Sequence, residues 1–281
     1  QVPFGPQILF EADEMDNLIV AAEICEDVWS PVPPSIQAAR EGALIIVNCS
    51  ASDETVGKGS YRTRLIAGQS ARLIAGYVYA NAGEGESTTD LVFGGHNIIA
   101  EDGTILRQSE RYKNEIIYSE IDLEKIVGER RKNTTFSPEK LNCGCPVVVP
   151  FHVGICDTVL TRNFSQHPFV PSDEAARAHI CDEILTIQAM GLKKRLSHTN
   201  AKSAVVGISG GLDSCLALLV AVRAMKQLGR PTTDVLAVTM PCFGTTKRTR
   251  SNAEILCDEL HVSFTEIDIA ATVHSHFRDI G

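Results

Sequence analysis

Apolar residues recur along the chain with two different periods, which predict where its strands and helices lie. A short apolar run from Leu18 to Ile24 predicts a buried strand. Pro33 to Gly42 predict a helix, and Ala43 to Asn48 predict a second buried strand. Two buried strands joined through a helix indicate an α/β domain.

The same kind of pattern continues to the middle of the chain. Tyr61 to Ile74 carry apolar and basic residues at helical spacing, and Tyr77 to Ala80 are strand-like. His96 to Ala100 and Thr104 to Leu106 flank an acidic turn that contains glycine, which predicts a hairpin. Tyr118 to Asp122 close this half of the chain.

Periodicity is then lost between residues 128 and 171, a stretch that holds five of the 12 prolines. Long stretches without a pattern are uncommon inside a compact domain, so we predict an interdomain connection here. The two predicted domains are therefore residues 1–127 and residues 172–281.

Beyond the connection, strands and helices alternate. Ser172, Asp173 and Glu174 predict the start of a helix that runs to about Leu196. The elements that follow are a strand from Ser203 to Ile208, a helix from Ser214 to Leu228, a strand from Val235 to Met240, a helix from Arg250 to Leu260 and a strand from Ser263 to Ile269. This alternation predicts a doubly wound parallel sheet.

Composition narrows the class of protein. The chain has 281 residues, of which 44% are hydrophobic and 22% charged, as in globular proteins of two domains. A net charge of -9 argues against nucleic acid as a partner, because a phosphate-binding surface is normally basic. No apolar run approaches the roughly 18 residues that cross a bilayer, so we expect no membrane contact and a cytoplasmic protein.

The cysteines indicate reduced thiols. There are nine of them, an odd number, and no two stand in a C-x-x-C pair. The close pair Cys143 and Cys145 is interpreted as part of the connection rather than as a metal site, because two ligands do not complete one.

A glycine-rich loop, Ser-Gly-Gly-Leu-Asp-Ser, lies between a predicted buried strand and a predicted helix. With the two residues before it, the candidate phosphate-binding set is Gly207, Ile208, Ser209, Gly210, Gly211, Leu212, Asp213 and Ser214. Two glycines let backbone N–H groups approach a phosphate, the helix N-terminus adds partial positive charge, and Ser209 and Ser214 can donate hydroxyl hydrogen bonds. No lysine follows, unlike in the nucleoside-triphosphatase P-loop, and Asp213 suits Mg2+.

This loop resembles the pyrophosphate-binding loop of the ATP pyrophosphatase superfamily. The resemblance implies a fold of the ATP-pyrophosphatase type and cleavage of ATP between its α and β phosphates to adenylate a carboxylate or carbonyl.

A second candidate site is centred on Cys25, at the end of the first predicted strand. A side chain there is presented at the rim of the sheet, and the next backbone N–H, that of Glu26, can stabilise an oxyanion. The nearby carboxylates of Glu23, Glu26 and Asp27 are expected to keep the thiol protonated unless a base and a cation come from elsewhere.

The segments Glu-Ile-Cys-Glu-Asp-Val-Trp, from Glu23, and Asn-Cys-Ser-Ala-Ser, from Asn48, resemble the nitrilase-type glutaminase domain. In that family a glutamate base and a lysine both precede the nucleophilic cysteine. Neither can be located here, and none of the 24 residues before Cys25 is a lysine. We therefore expect an internal fragment, with those two residues before Gln1 and further nucleotide-site residues after Gly281.

A nitrilase-like half followed by the glycine-rich loop resembles the family of glutamine-dependent NAD+ synthetases over essentially the whole chain. The stretches Asn81 to Asp90 and Met240 to Thr249 are similar to that family as well. The resemblance implies part of a nitrilase-like α-β-β-α sandwich, followed by a doubly wound parallel sheet of the ATP-pyrophosphatase type.

The resemblance also implies a reaction. Cys25 attacks the side-chain amide of glutamine to give a thioester and ammonia, and ATP with Mg2+ adenylates the nicotinate carboxylate of deamido-NAD+, from which ammonia displaces AMP. Homo-oligomers are implied too. The implied ligand contacts are Ser52 and Lys58 with glutamine, Met240 with ATP, and Thr246 and Arg248 with the dinucleotide. Trp29 either walls the glutamine pocket or packs in the core.

Other functions stay open. One is another glutamine-dependent ATP-pyrophosphatase amide ligase; a second is a carbon-nitrogen hydrolase with an inert nucleotide-binding appendage; a third is a catalytically dead scaffold. Arg62, Arg64 and Arg72 are interpreted as surface or interdomain salt bridges without a role in the site. His274 and His276 form an H-x-H pair without a third metal ligand nearby.

Overall fold

The computed structural model of the chain describes residues 2–136, 146–164, 166–241 and 247–281. The residues cluster into two compact units, Gln1–Phe164 and Ser165–Gly281. Within the described residues, no helix is both long and apolar enough to cross a membrane.

The first unit is built on a mixed sheet of seven strands. They are β1 Ile8–Ala12, β2 Ile19–Ile24, β3 Ile45–Ser50, β4 Gly76–Asn81, β5 Ile98–Glu101, β6 Thr104–Gln108 and β7 Val147–Phe151. They lie side by side in the order β6-β5-β4-β3-β2-β1-β7. Strands β2, β3 and β4 are parallel, so their carboxyl ends lie at one edge of the sheet. The predicted strands β2 to β6 are confirmed.

Among the residues that the structure describes, three α-helices accompany this sheet: α1 Pro34–Arg40, α2 Lys58–Leu73 and α3 Leu123–Lys132. A short 3-10 helix over Cys25–Trp29 follows β2 directly. Alternate strand residues point to one face, where Ile46 of β3 and Tyr77 of β4 are buried with Ala39 of α1 and Ile66 of α2. This core holds the carboxyl ends of the parallel strands in fixed positions.

Strand β7 lies in the stretch where periodicity is lost and where we predicted an interdomain connection. It contains Pro150 and pairs in parallel with β1 at the edge of the described sheet. Proline is compatible with an edge strand because its missing N–H costs no ladder hydrogen bond on the outer side. The sequence pattern did not indicate β7, and the role of residues 128–171 as a domain connection stays a prediction.

The guanidinium of Arg130, in α3, binds the ends of two other helices. It donates five hydrogen bonds, all to backbone carbonyls: those of Ala39, Ala43, Leu73 and Ile74, with Leu73 receiving two. These carbonyls lie at the C-termini of α1 and α2, where the helix dipole favours a cation. Burial lowers the pKa of Arg130 to about 10, which leaves the side chain charged at neutral pH.

A buried carboxylate holds the residues after β7 against the hairpin β5–β6. Arg162 donates to both oxygens of Glu101, at 2.8 and 2.9 Å. Lys125 and the backbone N–H of Asp122 also donate to Glu101, at 2.9 and 2.7 Å. Burial alone would raise the pKa of Glu101, but these hydrogen bonds outweigh it and lower the pKa to about 2.

The second unit is a three-stranded parallel sheet with helices in every connection. Its elements are α4 Glu174–His198, β8 Ala204–Gly207, α5 Leu212–Gln227, β9 Val235–Thr239, α6 Lys247–Leu260, β10 Ser263–Glu266 and α7 Ala270–Ile280. The strand order is β10-β9-β8, and both pairings are parallel. Leu218 and Met225 of α5 are buried with Ala237 of β9 and Ala189 of α4. The predicted alternation is confirmed, and α7 is an additional helix.

Candidate active site

Cys25 follows β2 at the rim of the first sheet, as the sequence predicted. Its backbone φ is +50°, a left-handed conformation that residues other than glycine seldom adopt. Such strain costs on the order of 1–3 kcal/mol and persists where the surrounding structure enforces it. The thiol is free and half-buried. Glu26 is exposed in the first turn of the 3-10 helix, and its role as an oxyanion donor stays a prediction.

The side chain of Asn48, in β3, holds the backbone of Cys25 from both sides. Its Oδ1 accepts from the N–H of Cys25 at 3.2 Å, and its Nδ2 donates to the Cys25 carbonyl at 3.4 Å. Ser50 donates to the same Oδ1 at 2.7 Å, and Nδ2 lies 3.3 Å from the hydroxyl of Tyr77. The Asn48 amide is thereby the centre of a buried hydrogen-bond network.

Glu23 belongs to this network rather than to a cluster of negative charge around the thiol. It is buried on the core face of β2, where its carboxylate accepts from the Tyr77 hydroxyl and, at 3.0 Å, from the backbone N–H of Ser35. Burial, followed by the charge of Glu23, raises the pKa of Tyr77, so the hydroxyl keeps its proton. Asp27 accepts from the backbone N–H of Ile24 at 2.7 Å and caps the turn.

A second group of side chains lies around Lys58, at the start of α2. Its Nζ is 5.7 Å from the ring centroid of Trp29 and forms an ion pair with Asp53. Trp29 stacks on Tyr61, with centroids 5.3 Å apart and planes inclined by 10°. The structure therefore brings two predicted glutamine contacts, Trp29 and Lys58, together. Their contact with glutamine stays a prediction.

Ser52, the third predicted glutamine contact, is buried in the loop between β3 and α2. Its backbone N–H donates to Oδ1 of Asn81 at 2.8 Å, and its carbonyl accepts from Nδ2 of Asn81 at 3.1 Å. Its hydroxyl accepts from Arg62 at 3.3 Å. Ser52 is thus held by the end of β4 and by α2, and its contact with glutamine also stays a prediction.

Arg62 is the residue whose role sequence reasoning missed. Instead of lying on the surface, it is fully buried and donates to Glu54 at 2.7 Å. His96 lies 3.0 Å from the same guanidinium nitrogen, and burial, together with Arg62, lowers the pKa of His96 and favours its neutral form. The spacing of Arg62, Ile66 and Leu73 on the buried face of α2 was the available signal, because it predicts Arg62 on the core side.

The Ser-Gly-Gly-Leu-Asp-Ser loop connects β8 to α5, as predicted. Ile208 is buried and its N–H donates to the carbonyl of Val238 in β9 at 2.8 Å. Gly210 has a φ of +78°, which glycine adopts without strain. Gly211 is the N-cap of α5, and the N–H groups of the first turn have no partner within the helix. The loop therefore presents backbone donors at a helix N-terminus.

The serine hydroxyls at the two ends of this loop point to each other. Ser209 Oγ and Ser214 Oγ are 3.2 Å apart, and Ser214 Oγ also donates to the Gly211 carbonyl at 3.0 Å. Both serines belong to the rim of the sheet, where an anion would find hydroxyl and backbone donors together. Asp213 is exposed in the first turn of α5, so its carboxylate is accessible to a cation.

Met240 follows β9, so it lies at the same strand edge as the loop after β8. It is half-exposed. Thr246 and the side chain of Arg248 lie outside the described residues, as do Cys143 and Cys145; the backbone of Arg248 belongs to the first turn of α6. Among the described residues there is no group of three or more His, Cys, Asp and Glu side chains that could hold a metal ion.

Comparison with known proteins assigns a family to each half of the chain. A carbon-nitrogen hydrolase family model matches residues 2–131, and an NAD synthase family model matches residues 184–280. The glutamine-dependent NAD(+) synthetase of Mycobacterium leprae is 42% identical over 290 residues, which cover 100% of this chain and 42% of the relative. That of Thermotoga maritima is 28% identical over 277 residues, covering 95% of the chain and 44% of the relative.

The chain thus spans less than half the length of these relatives. Among solved structures, a glutamine-dependent NAD+ synthetase from Acinetobacter baumannii in complex with ADP aligns with a TM-score of 0.37 and 21% identity, over 95% of this chain and 42% of that one.

Proposed function

Because the chain belongs to the family of glutamine-dependent NAD(+) synthetases, we propose that it supplies the glutaminase nucleophile and the ATP-binding loop of an enzyme that amidates deamido-NAD+ to NAD+. The observation that carries the proposal is the presence, in one chain, of a strained cysteine at a strand end and a Ser-Gly-Gly-Leu-Asp-Ser loop at a helix N-terminus. A carbon-nitrogen hydrolase alone would have no use for the loop.

In the proposed glutaminase half-reaction, Sγ of Cys25 attacks the side-chain amide carbon of glutamine. The oxyanion that forms accepts a hydrogen bond from the backbone N–H of Glu26. The amide nitrogen takes up the proton that the thiol gives up, the C–N bond breaks, and ammonia leaves. Water then hydrolyses the thioester and releases glutamate. Lys58 and Ser52 hold the glutamine, and Trp29 forms a wall of its pocket.

In the proposed synthetase half-reaction, the loop from Ser209 to Ser214 binds the phosphates of ATP through its backbone N–H groups and its two hydroxyls. Gly207, before the loop, and Met240, directly after β9, border the nucleotide, and Thr246 and Arg248 contact the dinucleotide. The nicotinate carboxylate of deamido-NAD+ attacks the α-phosphorus of ATP, which forms the acyl adenylate and breaks the bond to pyrophosphate. Asp213 would hold Mg2+, which would neutralise charge on the pyrophosphate. Attack of ammonia on the adenylated nicotinate carboxylate gives NAD+ and AMP.

The cellular setting is part of the same proposal. The described cysteines 25, 49, 156, 181, 215 and 257 are all free, which fits a reducing compartment such as the cytoplasm. Assembly into homo-oligomers is proposed from the family resemblance.

The test is NAD+ formation from deamido-NAD+, ATP and Mg2+ by the full-length enzyme, with glutamine or ammonia as the nitrogen donor. Cys25→Ala is expected to abolish glutamine use and to keep ammonia use, whereas Asp213→Ala is expected to impair both. If the unmodified enzyme forms no NAD+ from either donor, the substrate assignment is wrong and another ATP-pyrophosphatase amide ligase takes its place.

A further inference from the structure

We propose that the buried Asn48 amide, oriented by Tyr77 and Glu23, is the positioning group that holds the Cys25 nucleophile in its strained backbone conformation. This inference rests on the proposed glutaminase function. It assigns a role to Glu23 and Asn48, two residues of the motifs around the candidate nucleophile to which the reaction itself gives none.

Asn48 holds the backbone of Cys25 by two hydrogen bonds. A left-handed φ at a non-glycine residue relaxes unless its neighbours enforce it. Asn48 contacts the peptide groups on both sides of the Cys25 Cα atom, accepting from its N–H at 3.2 Å and donating to its carbonyl at 3.4 Å. Rotation about either backbone bond of Cys25 would break one of these contacts.

The neighbours of the Asn48 amide determine its orientation. The Tyr77 hydroxyl donates its single proton to the carboxylate of Glu23. The Tyr77 oxygen then accepts from Nδ2 of Asn48, 3.3 Å away. This turns Oδ1 of Asn48 towards the two donors on its other side, the N–H of Cys25 and the hydroxyl of Ser50.

The three side chains of this hydrogen-bond chain are all buried. Asn48, Tyr77 and Glu23 are 1%, 0% and 3% exposed, so water cannot replace a lost partner in this chain of hydrogen bonds. If the Tyr77 hydroxyl is removed, Glu23 loses a donor and the Asn48 amide loses what fixes its direction. A flipped amide would point its NH2 group at the N–H of Cys25, and the thiol would shift away from the substrate.

The experiment uses the full-length enzyme with Tyr77→Phe and Asn48→Leu, and follows inactivation of Cys25 by a glutamine-analogue diazoketone. Displacing a nucleophile by about 1 Å lowers its reactivity by about 100-fold. We expect the inactivation rate at saturating analogue to fall at least about 10-fold in both variants. The analogue concentration that gives half the maximal rate should stay within about twofold of that of the unmodified enzyme. NAD+ formation from ammonia should be unchanged. A slower maximal rate at an unchanged half-saturating concentration indicates a misplaced nucleophile. A collapsed pocket would raise the half-saturating concentration as well.

Ile46→Val is the matched control. Ile46 lies two residues before Asn48 in the same strand, is equally buried at 1% exposed, and has an apolar side chain that takes no part in the hydrogen-bond network. The Ile46→Val variant should be inactivated like the unmodified enzyme. The inference is overturned if Tyr77→Phe is also inactivated at the unmodified rate, or if Ile46→Val slows inactivation as much. An unmodified enzyme without glutaminase activity would refute the proposed function instead.

Discussion

The ammonium group of Lys58 lies over the indole of Trp29 and is tied to the carboxylate of Asp53. The hydrogen bond from Lys58 lowers the pKa of Asp53 by more than burial raises it, so the Asp53 carboxylate is ionised at neutral pH. Asp53 comes directly after Ser52 in the chain. The Asp53 carboxylate therefore links the loop that carries Ser52, a predicted glutamine contact, to the side chain of Lys58, which is a second predicted glutamine contact.

Asp53→Asn is expected to raise the KM for glutamine with little change in kcat. The pair is partly exposed, so the loss of orientation is worth up to about 1 kcal/mol, or about fivefold in KM. Steady-state kinetics with glutamine and with ammonia measure this, and the ammonia-dependent rate should stay unchanged. Glu110→Gln, which breaks the surface ion pair with Lys113, is the control and should change neither. An unaltered KM in Asp53→Asn would remove Asp53 from the site.

Arg62→Met is expected to destabilise the first unit strongly. It leaves the side chain of Glu54, 3% exposed, as a buried carboxylate without its closest partner. Breaking a buried pair from one side costs about 3–5 kcal/mol, because the remaining charge stays desolvated. Urea unfolding followed by circular dichroism measures the loss. The double variant Arg62→Met, Glu54→Gln should recover part of it, and equal stability of single and double variants would argue against this account.

Gly210→Ala tests whether the loop backbone is what holds the nucleotide. At a φ of +78°, a Cβ atom makes the loop strained, so we expect the shape that approaches the phosphates to be lost. ATP binding and the ammonia-dependent rate should fall by about tenfold or more for a loss of at least about 1.4 kcal/mol. Gly229→Ala is the control: Gly229 follows α5, has a similar backbone φ of +69°, and a Cβ atom there would contact no neighbouring atom. It should affect stability alone; equal binding losses in both variants would contradict the assignment.

Stability should fall steeply in acid because of Glu101. The folded-state pKa of about 2 lies below the ordinary value of 4.5, so the folded form binds its proton less readily than the unfolded chain. The stabilisation is complete above about pH 4.5 and is lost as the pH falls towards about 2. Glu101→Gln should lose roughly 3 kcal/mol at neutral pH and flatten the dependence of unfolding free energy on pH in that window. A parallel pH profile in the variant would rule out Glu101 as the source.

The sequence predicted the parts of the fold that carry strong local patterns. Strands β2 and β3 both begin with short apolar runs. The loop at Ser209 combines glycines with a strand before it and a helix after it, so the placement of these elements follows from residues close in sequence. Strand β7 has a proline inside it, and what makes it a strand is its pairing with β1, more than 130 residues earlier. Pairing over that distance leaves no local signal.

The candidate site likewise combines features that the sequence predicted with features that it did not. The strand-end location of Cys25 was predictable, whereas the direction of Glu23 was not, because two carboxylates near a thiol in sequence can face opposite sides of a sheet. Arg62 was interpreted as part of a surface or interdomain salt bridge, whereas its partner Glu54 lies inside the same unit. Its burial is explained by Glu54, which lies in the loop before α2 and is found only once that loop folds back on the helix.

The hydrogen bonds of Arg130 make the ends of α1 and α2 depend on a single side chain. Helix termini usually fray independently, since each loses its last carbonyl contacts one at a time. The Arg130 guanidinium binds both C-termini, so neither can open without breaking a hydrogen bond to the side chain that also holds the other. The two helix ends and α3 should therefore exchange their amide hydrogens as one cooperative unit, at a common rate set by the release of Arg130.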